Sequence, residues 1–564
     1  MSIIDQPPQQ AELEGESVAE LDPRWIVFLL LGLILIFSLA LRYYRIEESF
    51  GGFLSFNEAW YATIARNYEN HSLLYPTSIF GTTDYNVAPF YSYLLHAAKG
   101  LLSESERNYR LVSVLFSEIS IVLIFLLGSV MFSSEAGLVA AALYGFAPVS
   151  VVVGRNVQTD AVYLAFLLAS LYFYLLAGRV VQVRSAECGV RNGEFGMRMW
   201  HPQTRLGVAH RLMALSGLCF GFAFFTKQFA VLFVPALFVW ECIRSRGIRR
   251  LGVRHLWFTI CAIAVPAPFF IYHLVIGGGA VFRAQSALAG SEFALPNLKE
   301  AAYLWWEYFW GFSPIIFLLC SVGVIYGIIR RGSYRIFLLL AFAVFIVFFA
   351  FWHGHSYYIL YAVPFAALLA GDVISLVRRK GVLILFVVVV CSVSAVHTIA
   401  FLCNVKYGYN SFSVLGESLN GGKGTTLILS PGADGNYRPL VHYYLPEAEI
   451  LTEQELERKQ EKKLGFLKGK NVFVISLAGR PVQDFPMPSI VIKRQVSTLV
   501  LFGIQIYVVS ESEHFFRAVR AGVVRSGRWY DAGVLNIGFA DDLLLSPLTP
   551  AARYRLQYDR VIYY

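Results

Sequence analysis

The sequence predicts a polytopic α-helical membrane protein that continues into an α/β segment. Three observations carry this. The 564 residues are 57% apolar and only 15% charged, a balance unlike that of a soluble globule. Apolar runs recur from residue 25 to residue 403, most of them near the roughly 20 residues that let a helix cross hydrocarbon with its backbone bonded internally. From about residue 405 the pattern changes to short apolar runs separated by charged stretches.

Taken in order, residues 1–22 are polar and acidic and read as a disordered tail. Eleven spans are expected at 25–43, 109–131, 135–153, 161–178, 210–226, 228–243, 256–276, 312–329, 336–351, 357–377 and 381–403, within a membrane domain of residues 23–404. Two long loops interrupt them, 44–108 and 277–311. Inside the first, Ala59, Trp60, Ile64 and Tyr68 recur at helical spacing, so 56–68 is expected as a surface helix. Residues 89–102 are apolar but too short to span and are expected to lie at the interface. Residues 405–564 read as a soluble α/β domain, with strands expected at 425–429, 448–451, 471–476 and 505–509, a helical turn at 438–445, a charged helix at 453–464 and a further strand at 558–564. Alternation of this kind suits a small open sheet with parallel strands.

The basic residues set the orientation. Arg179–Arg211, Arg244–Arg254, Arg330–Arg335 and Arg378–Lys380 fall in four connections that an eleven-span count puts on one side, which the positive-inside rule makes the cytoplasm. Arg24, Arg42 and Arg45 around the first span vote weakly the other way and are outweighed. The N-terminus is then cytoplasmic and the segment after residue 405 extracytoplasmic. The net charge of +9 is spent on these short loops, which argues against nucleic acid as a partner. Five of the seven cysteines (Cys219, Cys242, Cys261, Cys320, Cys391) sit in apolar runs, so no disulfide framework is expected.

Glu58 and Asp160 are the candidate chemistry. Both fall at the outer edge of apolar runs, where a carboxylate is costly to place and marks a site hypothesis. Each has a plainer reading: Glu58 suits the dipole at the start of a surface helix, and Asp160 can cap the helix beginning at Ala161. Two carboxylates on one cavity can serve as base and hydrogen-bond acceptor for a hydroxyl. On the same face Arg66, Arg155 and Lys227 can hold a phosphate, although a lysine at a hairpin tip is more often a snorkelling residue. His353-Gly354-His355 with Tyr357 and Tyr358 lies in a tight turn, and two histidines without a third ligand favour hydrogen bonding over a metal. Tyr303–Trp310 reads as an interfacial aromatic belt.

The order of these motifs resembles the GT-C membrane glycosyltransferases, in the superfamily of protein O-mannosyltransferases and lipid A aminoarabinose transferases. The family's Asp-Glu-Ala-x-Tyr after the first span is matched by Asn57-Glu58-Ala59-Trp60-Tyr61, continued by Ile64-Ala65-Arg66. Its Pro-Pro-Leu segment is matched imperfectly by Ala88-Pro89-Phe90, and further matches are Arg110-Leu111, Ala136-Gly137 to Pro148, Arg155 to Asp160, Phe225-Thr226-Lys227 and Tyr357-Tyr358 through Pro364. Together they cover about 25–380. The resemblance implies transfer of a hexosyl or pentosyl unit from a polyprenyl-phosphate carrier to a protein, lipid or glycan acceptor, at the outer face of the cell membrane. No cofactor is implied, and a divalent metal is left open. Two departures bear on mechanism: the family's first carboxylate is Asn57, which cannot act as a base, and its lysine falls at Val87. Glu58 is then expected as the base, helped by Asp160 or Asp84, with Tyr61, Arg66, Arg155, Lys227, His355, Tyr357 and Tyr358 around the substrate. Glu58→Gln and Asp160→Asn are expected to abolish transfer and leave folding intact. The alternatives are a flippase for a lipid-linked glycan and a non-catalytic membrane scaffold.

Overall fold

The computed structural model describes residues 23–50, 55–78, 84, 88–189, 202–245, 253–276, 278–279, 281–284, 286, 314–330, 332–351, 356–377, 379–405, 416, 420–429, 431–452 and 455, with strand segments up to residue 538. The expected helix at 453–464, the strand at 558–564, the aromatic run 303–310 and the 1–22 tail lie outside these residues, apart from Glu455.

The described part is mostly helical, with fifteen helices before residue 406: α1 Pro23–Tyr43, α2 Ser55–Asn67, α3 Phe90–Leu102, α4 Glu106–Met131, α5 Ser134–Gly145, α6 Pro148–Arg155, α7 Thr159–Gly189, α8 Pro202–Thr226, α9 Phe233–Ser245, α10 Val253–Ala264, α11 Ala267–Val275, α12 Pro314–Ile329, α13 Ser333–Phe351, α14 Val363–Ile374 and α15 Lys380–Val405. Each expected apolar run contains a helix, and the two short segments of the first loop form α2 and α3. By length and composition, four described helices can cross a membrane: α1, α4, α7 and α8. Two bent pairs pass the same test together: α5 with α6, bent by 64°, and α10 with α11, bent by 53°. Both bends fall at a proline, Pro148 and Pro266, where the helix ladder lacks a donor.

Local sequence sets the helix ends. Ser105 and Ser133 cap α4 and α5 by accepting hydrogen bonds from the backbone N–H groups of Asn108 and Ala136, which satisfies donors that a helix start leaves open. Pro148 opens α6 at the position where a missing N–H costs nothing. Small residues let the helices approach. A Cβ built on Gly128 of α4 would stand 2.4 Å from the Cα of Gly137 on α5, and one on Gly323 of α12 would stand 2.4 Å from the backbone N of Ala370 on α14, contacts that only glycine permits.

The α5–α6 bend is held from outside its own pair. Arg42, at the end of α1, is fully buried. It donates from Nη1 to the Gly145 carbonyl (3.1 Å), from Nη2 to Ser150 Oγ (2.8 Å) and from Nε to Ser117 Oγ (2.8 Å). The Gly145 carbonyl is one of those left open at a helix end, so the buried guanidinium and the broken ladder satisfy one another.

Beyond residue 420, β1 Thr425–Leu429, β2 Glu449–Thr452, β3 Asn471–Ser476 and β4 Ser489–Val491 are joined as parallel strands, with β1 between β2 and β3 and β4 on β3. The helix α16, Pro431–Tyr444, connects β1 to β2, as a parallel crossover requires. It is longer than the expected turn at 438–445 and contains Pro439. The expected strand at 505–509 is β6 Ile504–Val508, but it pairs antiparallel with β5 Ser497–Leu501 and is not in the parallel sheet. The Leu501 and Ile504 ends face each other across a two-residue connection, which ties β6 to its sequence neighbour and makes a crossover unnecessary. The hairpin β7 Phe516–Arg525 and β8 Arg528–Gly538 meets β3 in antiparallel sense.

Candidate active site

The carboxylates come from helix ends gathered at one end of the bundle. Asp160 lies in the first turn of α7. Because α7 begins at Thr159, Asp160 stands inside the helix and not at the capping position before it. Its bonds go to other elements. Oδ1 accepts from Lys227 Nζ at 3.0 Å and from the hydroxyl of Tyr361. Oδ2 is buried and has no hydrogen-bond partner among the described residues. Nearby on the same segment, Gln158 Nε2 and the Tyr163 hydroxyl share that condition. The Tyr163 and Tyr361 rings meet edge to face, 4.9 Å apart.

Lys227 lies at the hairpin tip between α8 and the 3₁₀ turn Gln228–Leu232. Its Nζ stands 4.4 Å from the Tyr358 ring centre, 5.3 Å from Phe229 and 5.5 Å from Tyr361. An ammonium over aromatic faces is attracted by their quadrupoles. Burial lowers its pKa from the ordinary lysine value, against the pull of Asp160. The outcome is a nearly dry ion pair, walled by rings, with one carboxylate oxygen unengaged.

Tyr61 and Asp84 border this cluster. Burial, then the charge of Asp160, push the Tyr61 phenol up from its ordinary pKa; Thr159 bonds it and Asp84 adds a smaller push. The phenol is therefore a neutral donor beside two carboxylates. Asp84 Oδ2 accepts from Trp60 Nε1 (2.8 Å), which fastens it to α2.

Glu58 is arranged differently. It is fully buried in the first turn of α2. Arg110, at the head of α4, grips it with two bonds: Nε to Oε1 at 2.8 Å and Nη2 to Oε2 at 3.0 Å. Oε1 also accepts from the Val157 backbone N–H at 3.2 Å, in the connection between α6 and α7. Arg110 Nη1 reaches the Ile46 carbonyl at 2.9 Å. Glu58 thus joins α2, α4 and the segment that presents Asp160.

Comparison with known proteins bears on this arrangement. Residues 86–184 match the family profile described as dolichyl-phosphate-mannose-protein mannosyltransferase. No curated protein matches the chain. Among solved structures, ArnT from Cupriavidus metallidurans bound to undecaprenyl phosphate superposes with a TM-score of 0.55 at 12% identity, covering 78% of this chain and 89% of that one. The apo state of the same protein gives 0.54 at 12% identity, covering 86% and 97%. The chain has the GT-C fold. An oligosaccharyltransferase from Archaeoglobus fulgidus follows at a TM-score of 0.49 and 12% identity, covering 77% of this chain and 64% of that one.

In this GT-C chain the remaining predicted residues separate. Arg66, in the last turn of α2, is engaged away from Asp160: its guanidinium bonds Glu104 (2.8 and 2.6 Å) and the Tyr443 carbonyl (3.1 Å). Arg155 is fully buried and donates to the Arg45 carbonyl at 3.1 Å. Asn57 is half-buried beside Glu58. Tyr357 lies on the 3₁₀ turn Ser356–Tyr361, but its side chain and all of His355 lie outside the described residues. Among the described residues no three His, Cys, Asp or Glu side chains come together as a metal site. Two residues of this cluster were not singled out in the sequence: Tyr361, whose signal was its place three residues after Tyr358, and Phe229, which carried none. Arg110 stood there only as a family match, and its pairing with Glu58 is set by the fold.

Proposed function

We propose that this protein transfers a hexosyl or pentosyl unit from a polyprenyl-phosphate donor to a hydroxyl acceptor, at the outer face of a cell membrane. The observation that carries this reading is Asp160, with one oxygen held by Lys227 and Tyr361 and the other buried and unengaged. A buried polar atom left unsatisfied costs about 1–3 kcal/mol. Asp160 Oδ2, Gln158 Nε2 and the Tyr163 hydroxyl are three such atoms within six residues, and a sugar or acceptor hydroxyl supplies the partners they lack. The matched mannosyltransferase profile spans this segment, and the ArnT structure of the same fold holds undecaprenyl phosphate.

In this reading Asp160 Oδ2 takes the proton of the acceptor hydroxyl. The acceptor oxygen bonds to the anomeric carbon, and the bond from that carbon to the phosphate oxygen breaks with its electron pair staying on the phosphate. Lys227 meets the charge that grows there, in a dry site where such an interaction is strong. Tyr61 donates to the sugar or the phosphate. Glu58 passes from expected base to anchor, since Arg110 and Val157 engage both of its oxygens. Eleven spans with a cytoplasmic N-terminus, and a separate extracytoplasmic α/β domain over 405–564, complete the proposal. The test is to incubate purified protein with a panel of polyprenyl-phosphate sugars and measure free polyprenyl phosphate. Release by the native chain and none by Asp160→Asn is expected. Equal release by both removes Asp160 from the reaction. No release from any donor, with lipid-linked glycan crossing vesicle membranes, replaces the enzyme with a transporter.

A further inference from the structure

The C-terminal segment reaches the α2 carboxylate through a continuous set of contacts. The last turn of α16 packs on α2 and the chain just before it. The Tyr444 hydroxyl accepts from the Phe50 backbone N–H (2.6 Å) and donates to Glu106 at the head of α4 (3.0 Å). The Phe50 side chain is fully buried and meets two partners: the Tyr443 ring, 4.8 Å away, and the Arg110 guanidinium, 5.1 Å from the ring centre. That guanidinium is the one that grips Glu58 and, through it, the segment carrying Asp160. A second tie runs from Arg66, whose guanidinium lies 4.6 Å over the Tyr443 ring and bonds its carbonyl.

We infer that α16 is a positioning element for the active site, acting through Tyr444 and Phe50 on the Arg110–Glu58 pair. The kinetic consequence rests on the proposed transfer reaction; the contact path does not. Glu58 lies in the first turn of the helix that also carries Trp60 and Tyr61. Fixing Phe50 from α16 therefore holds the Arg110 guanidinium that grips this turn. A displacement of about 1 Å in such a support can cost on the order of a hundredfold in rate, so a modest loosening is readable.

The test uses the full-length chain. Tyr444→Phe keeps the ring and removes both hydroxyl bonds. Amide hydrogen exchange over residues 55–60 is expected to quicken in this variant, and exchange indistinguishable from the native chain overturns the inference whatever the reaction proves to be. Where transfer is measurable, kcat is expected to fall about tenfold with KM for the donor within about twofold. In a cycle with Glu58→Asp the two losses are expected to overlap, because both act by moving the same carboxylate. Losses that multiply overturn the coupling and leave α16 as a packing element only. If Tyr444→Phe fails to accumulate, Arg66→Lys, which keeps the charge for Glu104 and loses the fork on Tyr443, carries the same two readouts. A native chain inactive with every donor defeats the proposed function, and the exchange arm still decides the inference.

Discussion

Asp160 and Glu58 lie a few side chains apart, yet the physics of each predicts a different phenotype. Asp160→Asn is isosteric and keeps a bond to Tyr361. The Lys227 it leaves unpaired can shed its proton, since burial already lowers its pKa, while a guanidinium such as Arg110 cannot. The protein is expected to insert normally and lose transfer by about 10²–10⁴-fold, read as free polyprenyl phosphate. Glu58→Gln leaves the Arg110 guanidinium buried against a neutral amide. Breaking one side of a buried pair costs about 3–5 kcal/mol, so this variant is expected to melt well below the native chain in detergent, with activity lost alongside. A Glu58→Gln protein of native stability would remove the anchor role. The sequence made both carboxylates legible, because an acid beside an apolar run stands out against a bland background. It could not assign their roles. What separates them is a through-space choice of partner, Arg110 for one and Lys227 with Tyr361 for the other, and those partners lie tens to hundreds of positions away.

At the level of helices and strands, the close crossing of α4 and α5 is the sharpest constraint. Gly128→Ala would drive a methyl to within 2.4 Å of the Gly137 backbone. Overpacking of this kind costs about 1–3 kcal/mol, and a lowered thermal midpoint is expected. α16 supplies a pH dependence. Burial, with Arg438 adding to it, lowers the His442 pKa from 6.5 to about 4. The folded state therefore prefers the neutral ring, and the unfolded chain binds more protons between those values. Stability near α16 is expected to be level above pH 6.5 and to fall as pH drops from 6.5 towards 4, measured as amide exchange in residues 438–445; the opposite slope would contradict the assignment. Helices were readable because apolar runs are local signals. The β5–β6 hairpin was not, because strand pairing is a choice among partners that a five-residue run does not encode.

For the whole chain, orientation is the property that decides which compartment the site faces. With the seven native cysteines replaced, Lys423→Cys is expected to react with a membrane-impermeant thiol reagent applied to intact cells, and Arg330→Cys only after lysis. The reverse pattern would invert the topology and move the proposed reaction to the cytoplasm. The segregation of bases into four connections was legible in the sequence, since it is a property of composition and order alone. The bends in α5–α6 and α10–α11 were not read from the sequence, which gave 135–153 and 256–276 each as one span; a proline sits at both breaks, but their angles depend on what fills the break. One filler has a consequence for how the protein is made. The Gly145 carbonyl is satisfied by Arg42 on the first helix, so the fifth and sixth helices can close their corner in hydrocarbon only when that earlier helix is already beside them. A ribosome delivers the helices in that order, and a chain permuted to place α1 last would have to hold the corner open, its carbonyl bare, until synthesis ended.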